Sequence, residues 1–411
     1  MEDNNKEIVF VCQVYYPDES STSQLFQPMM ERMVADGYKV SVICGYSGST
    51  KSSNHEVING VEIFRNGLNI NHKKGFFWRL IAYASFIISV FFRLILMRSG
   101  PRFIGVTNPP FNAHILYICS KIRNRNYDYI FLDLHPEGLV RTSVLKDSSI
   151  INKFWLKLNK IAYRYAQNIY VIGRDMKCLI HEQYGIDINK ITYMPHWSVN
   201  ENNKYIKFKD SVYTNKLDLT DKFVIQYSGN MGLWHDINTF VKAAYLLRDY
   251  KNICFVFVGD GIKKSEAMDL SKKLGCKNII WKDFVPQEDL HESLSACHVS
   301  LITLAKGLEG IAVPCKLYGI LASGRAVLSA APEESEIALT VSEHNCGINV
   351  LPGDVDSIVD SIINLSNDKD EVRMMGLRGL DACKSIYTLE NAINILKGYQ
   401  KESNGKQYFK S

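Results

Sequence analysis

A chain of 411 residues is too long for one ordinary core, and at roughly 150 residues per domain it predicts two or three. With 46% hydrophobic and 22% charged residues, 26 Gly and 11 Pro, its composition excludes disordered, collagen-like and low-complexity classes. A net charge of +5 admits an anionic ligand or membrane surface but falls short of a dedicated nucleic-acid binder. The opening Met1-Glu2-Asp3-Asn4-Asn5 is acidic and polar, and the apolar run after it is too short for a signal peptide, so a cytoplasmic location is expected. The ten cysteines never form a Cys-x-x-Cys pair, and several sit inside apolar runs, as small core residues in a reducing compartment would.

Short apolar runs alternate with helical patterns along the whole chain. Ile8 to Cys12, Val40 to Cys44, Phe103 to Val106, Tyr129 to Leu132 and Ile169 to Ile172 read as strands buried on both faces. Helices are predicted over Gln24 to Ala35 and Ile151 to Ala166, and Asn59-Gly60 between alternating runs predicts a hairpin. From Phe76 to Met97 the chain is almost wholly apolar. Its longest uncharged stretch, Leu80 to Phe92, would span only about 20 Å as a helix, short of the roughly 30 Å bilayer core. Lys73, Lys74, Arg79, Arg93, Arg98 and Arg102 flank or punctuate it, which suits a helix lying in an anionic membrane surface; a helix packed on the first sheet explains the apolar content equally well.

The polar stretch 200–222 interrupts this rhythm and is the expected interdomain linker. A second series follows, with strands at Phe223 to Tyr227, Ile253 to Val258, Ile279 to Lys282, Val299 to Leu304 and Ala326 to Ser329. Two consecutive α/β series predict two doubly wound, Rossmann-like parallel sheets facing a cleft, with ligands beyond the carboxyl ends of the strands. The expected division is a first domain over 1–199, a second over 223–388, and a closing segment, 389–411, whose helix crosses back to the first domain.

The first strand leads into a hydroxyl-rich loop ending Ser20-Ser21-Thr22-Ser23. It lacks the Gly-x-Gly-x-x-Gly dinucleotide fingerprint, and it reads either as a substrate-binding helix start or as a plain N-cap cluster. Ser228-Gly229-Asn230-Met231-Gly232 and Val258-Gly259-Asp260-Gly261 each follow a strand, where glycines let backbone N–H groups approach a phosphate. After Val313-Pro314-Cys315, Lys316 falls in a helix's first turn, where its ammonium could face a diphosphate. Asp-x-Asp occurs at Asp354-Val355-Asp356 and Asp368-Lys369-Asp370, but late in the chain and in polar stretches. No His-x-x-x-His pair exists, so no metal and no cofactor are expected.

Taken in order, Tyr15-Tyr16-Pro17, Asp133-Leu134-His135-Pro136-Glu137, Ser228-Gly229-Asn230, Val258-Gly259-Asp260-Gly261, Phe284-Val285-Pro286 and Val313-Pro314-Cys315-Lys316-Leu317-Tyr318 resemble the retaining glycosyltransferases of family 4. Within it, the chain is most similar to the bacterial branch that builds O-antigen, capsule and colanic-acid-type polysaccharides. The resemblance covers most of the chain and implies the two-domain GT-B fold. It implies a nucleotide-sugar donor held by the turns of Ser228, Gly229 and Asn230 and of Gly259, Asp260 and Gly261, with Pro314 and Lys316 at the diphosphate and the Phe284-Val285 region at the base. It places Glu309 at the donor sugar and His135 beside the reacting carbon, and puts Ser21, Thr22, Asp133 and Glu137 on the acceptor side. The acceptor it implies is a lipid-linked oligosaccharide, reached from the cytoplasmic face of the membrane.

The chain departs from the family at three points. Asn230 and His235 stand where the family usually has Arg and Lys, which leaves Lys316, with Arg325, to neutralise the diphosphate. Counting back from Ser323-Gly324, the family's paired glutamates, separated by seven intervening residues, fall on Ile311 and Gly319. Glu309 takes the first place only if the loop shifts by two residues. Two other readings stay open, a nucleotide-sugar epimerase and a catalytically silent membrane-associated protein.

Overall fold

The computed structural model describes residues 6–18, 20–46, 53–70, 76–97, 101–199 and 204–398, with Phe76, Phe77 and Arg79 described by backbone alone. Lys73, Lys74 and Arg98, counted above among the flanking cations, lie outside the described residues. The chain divides into two compact units, Met1–Pro195 with Ala392–Ser411, and His196–Asn391.

The first unit runs β1 (Glu7–Val11), α1 (Ser21–Ala35), β2 (Lys39–Cys44), β3 (His55–Ile58), β4 (Val61–Arg65), α2 (Phe76–Leu96), β5 (Arg102–Val106), α3 (Asn112–Arg123), β6 (Tyr127–Phe131), α4 (Glu137–Arg141), α5 (Ile150–Tyr165), β7 (Ile169–Val171), α6 (Arg174–Tyr184) and β8 (Ile191–Tyr193). Its sheet has the order β3-β4-β2-β1-β5-β6-β7-β8, parallel except for the β3–β4 hairpin. That hairpin turns at Asn59 and Gly60, both at positive φ, as the Asn-Gly pair predicts. Strands β1, β5 and β6 are buried almost throughout, which is why they read as unbroken apolar runs.

The second unit runs α7 (Val212–Lys216), β9 (Phe223–Ser228), α8 (Ile237–Leu246), β10 (Ile253–Val258), α9 (Lys264–Leu274), β11 (Ile279–Lys282), α10 (Leu290–Ser295), β12 (Val299–Thr303), α11 (Lys316–Ala322), β13 (Ala326–Ala330), α12 (Glu336–His344), β14 (Gly347–Val350), α13 (Val355–Asn367), α14 (Lys369–Ser385) and the start of α15 (Leu389–Leu396). Its all-parallel sheet is ordered β11-β10-β9-β12-β13-β14. Beneath it, Phe223, Ile225 and Tyr227 pack with Phe240, Phe255, Phe257 and Leu328 in one cluster. From Ala392 the chain belongs to the first unit, where Leu396 O accepts from Arg102 Nη1 at 2.9 Å and Lys397 pairs with Asp36.

The unit boundary falls at Pro195, ahead of the polar stretch expected to be a linker. Residues 204–222 are instead part of the second unit. Their polar groups are used in bonds to it: Ser211 Oγ donates to Glu292 O at 2.8 Å, Val212 N to Glu292 Oε2 at 3.0 Å and Tyr213 Oη to Asp289 Oδ2 at 3.0 Å.

Candidate functional site

In the second unit the chain leaves β9 outward through β10 and β11, then returns to place β12 on the other side of β9. This reversal makes β9/β12 a topological switch point, and the carboxyl edge there is the place where open α/β sheets bind ligands. The turns of Gly229 after β9, Gly259 after β10, Phe284 and Val285 after β11, and Glu309 after β12 all emerge at this edge.

Main chain builds the floor. Gly229, Gly259 and Gly261 have φ of +125°, +133° and +145°. A Cβ on Gly259 would sit 2.1 Å from Gly229 O, and one on Gly261 would sit 2.5 Å from Met231 O, so only glycine permits these turns to nest. Met231 N donates to Asp260 O at 2.8 Å and Gly229 N to Val258 O at 2.9 Å, while the Asp260 carboxylate accepts from Gly261 N at 2.8 Å. Lys264, standing where a dinucleotide site would want its third glycine, braces the floor. Its ammonium donates to Gly259 O at 2.7 Å, Lys282 O at 3.3 Å and Asp283 Oδ1 at 2.6 Å.

Lys316 supplies the charge. A Cβ on Gly229 would lie 3.3 Å from Lys316 Nζ, so the ammonium occupies the space beside the glycine. It donates to Tyr227 Oη at 2.5 Å, reaches Asn230 O at 3.5 Å and stands 4.1 Å from the centre of the Tyr227 ring. Tyr227 in turn donates to Asn230 O at 2.8 Å. Burial pushes the Lys316 ammonium down to about 7. The role of Tyr227 went unread because it lies within a buried strand, one residue before its end, and looks like core.

His235, at the place of the family's lysine, is a different device. Burial, with Lys316 adding to it, pushes its imidazole down to about 3, so the ring is neutral, and its Nδ1 accepts from Gly232 N at 3.2 Å. It shapes the turn and adds no charge. Asp236 caps α8, accepting from Thr239 N at 3.3 Å.

Arg325 does not belong to this edge. It immediately precedes β13, and Ala326 is in register with Val299 and, through it, with Ile225, which sets Arg325 at the amino end of the sheet. It is only 5% exposed and turns to the chain before α7, donating to Ile206 O and stacking 5.2 Å from the Tyr205 ring. The expectation that it helps neutralise the diphosphate is therefore corrected. Glu309 accepts from Gly307 N at 2.7 Å within its own turn. Phe284 is 58% exposed, Val285 packs beside Val256 and Val258, and Pro314 O accepts from Leu317 N at 3.2 Å. Ser228 is the last residue of β9.

In the first unit the switch point lies between β1 and β5. Ser21 and Thr22 open α1 there, although the cap itself is Ser20, whose hydroxyl accepts from Ser23 N at 3.5 Å. After β6, Leu132 N and Asp133 N donate to Thr107 Oγ1 at 2.9 and 3.2 Å, and burial raises the Asp133 carboxyl to about 6. Burial lowers the His135 imidazole, whose Nδ1 is enclosed and has no hydrogen-bond partner among the described residues. Glu137 is buried, accepts from Tyr184 Oη, and is raised by desolvation. Asp133, His135 and Glu137 thus share one short segment, with Glu137 turned inward.

Among the described residues no group of three or more His, Cys, Asp or Glu could hold a metal ion. Both Asp-x-Asp pairs are helix starts. Asp354 caps α13 and Asp368 caps α14.

A doubly wound domain with nested glycine turns and a lysine at its switch point belongs to the open α/β sheets, whose ligands meet the carboxyl edge, and sequence comparison narrows the class. Residues 212–380 match the family model of the glycosyl transferases group 1. The chain is similar to the probable glycosyltransferase WbjE of Pseudomonas aeruginosa, 28% identical over 57% of this chain and 58% of that protein. The match therefore spans little more than half of that relative's length. It is also similar to the putative colanic acid biosynthesis glycosyl transferase WcaI of Escherichia coli K12, 23% identical over 85% of this chain and 89% of that one. Among solved structures, HepE of Anabaena in complex with UDP superposes with a TM-score of 0.70 at 13% identity, covering 96% of this chain and 99% of that one. The architecture is GT-B, two parallel-sheet α/β domains.

Proposed function

We propose that this protein is a glycosyltransferase of bacterial surface-polysaccharide biosynthesis. It moves a hexosyl or N-acetylhexosaminyl residue from a nucleoside-diphosphate-sugar to a lipid-linked oligosaccharide at the cytoplasmic face of the membrane, with retention of anomeric configuration. The observation that carries this reading is the Lys316 ammonium beside Gly229 at the β9/β12 switch point. The names of WbjE and WcaI, and the UDP bound to HepE, support it.

In this reading the nested glycine turns admit the diphosphate against the main chain, and Lys316 neutralises the charge that develops as the nucleoside diphosphate departs. The leaving phosphate takes the proton of the attacking acceptor hydroxyl on the same face. Phe284 and Val285 meet the base, and Glu309 the donor sugar. His135, neutral at physiological pH, offers an imidazole nitrogen to the reacting sugar, while Ser21, Thr22 and Asp133 form the acceptor side; Glu137, buried and bonded to Tyr184, supports that segment from behind. The reaction needs no metal and no cofactor.

The test is to incubate the protein with a panel of UDP- and GDP-sugars, with and without membrane glycolipid extract, and to measure free nucleoside diphosphate. Release only when acceptor is present supports transfer. Conversion of the donor sugar without release indicates an epimerase. Donor binding without either reaction indicates a silent binding protein.

A further inference from the structure

Tyr227 touches the Lys316 ammonium but has no part in the transfer chemistry set out above. Its place is fixed by the strand. In β9 it stands in register with Phe257 of β10 on one side and Leu301 of β12 on the other, and it is fully buried in the cluster that holds both. Its ring centre lies 6.3 Å from those of Phe257 and His235. A ring packed in this way has its position set by the core. The hydroxyl reaches past the cluster to the turn after β9. By donating to Asn230 O at 2.8 Å it aims its lone pairs at Lys316 Nζ, 2.5 Å away.

Lys316 is the opposite kind of side chain. It starts from α11, and a flexible four-carbon stem separates its ammonium from the main chain. Fixing such a stem costs rotamer entropy, and a phosphate that met it loose would bear that cost on binding. Here the ammonium is held in advance by the Tyr227 hydroxyl, by the face of the Tyr227 ring at 4.1 Å and, more distantly, by Asn230 O at 3.5 Å. The first two belong to Tyr227, and the third is the carbonyl that orients its hydroxyl. Together they place the charge in the space beside Gly229.

We propose that Tyr227 is a positioning residue of the donor site, its hydroxyl and ring fixing the Lys316 ammonium beside Gly229 so that a diphosphate meets a charge already in place. The inference rests on the reading that Lys316 takes the diphosphate, and names the group through which that lysine acts. The hydroxyl has a second effect. Burial raises the tyrosine, so its oxygen stays neutral, and a neutral oxygen accepting from an ammonium favours the charged form. It thus opposes the burial that pushes Lys316 down to about 7. Among the described residues the other titratable groups acting on Lys316 are His235, a neutral ring, and Cys315, the residue before it; neither is a carboxylate.

The test is Tyr227→Phe, which keeps the ring and removes the oxygen. In protein labelled with 13C-lysine, the Lys316 Cε resonance, identified by its loss in K316M, follows the ammonium through its titration. Y227F should lower the midpoint by about one pH unit, which a role confined to packing would not do. Isothermal titration with UDP and GDP at pH 7 should show affinity weaker by about fivefold or more, and the same substitution in K316M should change it by less than about twofold. In wild type alone, the Lys316 Hε protons should be shifted upfield by the Tyr227 ring, a readout that stands even where Y227F does not fold. An unchanged midpoint in folded Y227F overturns the proposal, as does a wild-type lysine without the upfield shift. An equal loss of affinity in the K316M background also overturns it, since Tyr227 would then only support the turn. Should wild type bind neither nucleotide, the donor reading falls and this role with it. Should K316M bind more weakly than wild type while Y227F matches wild type, the positioning role alone falls.

Discussion

Replacing Lys316 by Met removes the ammonium and keeps the length of the side chain. In the free protein that charge is costly. Burial holds the group at about 7, far below the ordinary lysine value, so the folded state binds this proton more weakly than the unfolded chain. The sign follows: the penalty is complete below pH 7 and fades as pH rises from about 7 towards the unfolded value, and stability rises across that window. K316M should therefore melt no lower than wild type at pH 7, and higher if the penalty is large. Binding of a nucleoside diphosphate should move the opposite way. A charge-assisted contact to phosphate contributes about 2 kcal/mol, so K316M should bind UDP, or GDP if that is the cognate base, roughly thirtyfold more weakly. In wild type the diphosphate is fully ionised above pH 7, whereas the lysine is losing its proton there. Deprotonation alone would cost about fiftyfold between pH 7 and 9, and the loss stops near the K316M value. Isothermal titration at pH 7, 8 and 9 reads this directly. An affinity that stays flat across that range, or K316M binding as tightly as wild type, would refute the assignment of the diphosphate to this lysine.

Three further outcomes follow from the same geometry. Gly259→Ala sets a methyl 2.1 Å from Gly229 O at a φ of +133°, and should lower stability by about 2 kcal/mol or more and abolish the melting-temperature rise with UDP or GDP. His135→Ala should lower turnover severely while leaving nucleotide affinity nearly intact, as comparison of kcat with Kd will show; unchanged turnover ends its catalytic assignment. Arg325→Met should cost about 1–3 kcal/mol in denaturant unfolding, through loss of its bond to Ile206 O, and leave nucleotide affinity unchanged. A loss of affinity without loss of stability would return Arg325 to the donor site.

Much of this was legible in the chain, for physical reasons that can be named. Parallel strands buried on both faces leave a continuous apolar imprint, so β1, β2, β9 and β10 stand out from their sequences, and Asn59-Gly60 names its own turn. The glycine turns were legible as turns. Their nesting was not, because it depends on β9 and β10 being neighbours in register. Arg325 is instructive in another way. A residue just before a parallel strand lies at the amino edge, away from the ligand edge, so the position ahead of Ala326 already argued against a phosphate role. For Tyr205 to Lys222 the polar composition was misleading, since its hydroxyls and amides are bonded to α10 and its approach. α2 is apolar on nearly every face, and no periodicity in such a sequence tells which side meets the sheet.

The substitutions that set this chain apart from the pattern it resembles share one consequence. Asn230 and His235 remove two cations from the β9 turn, and the neutral His235 ring, held by Gly232 N, shows that the second was replaced by a structural group. Lys264 does not replace them, because its ammonium is committed to Gly259 O and Asp283. A diphosphate here would meet oriented amides and one ammonium, and that ammonium is half-discharged at neutral pH. Donor binding must then take up a proton, and the protonated Lys316 that results is formed only when the phosphate is present to stabilise it. Such a site carries a stability cost in the free protein, recorded in the lowered value of Lys316, and a bound diphosphate would offset it by stabilising the charged form.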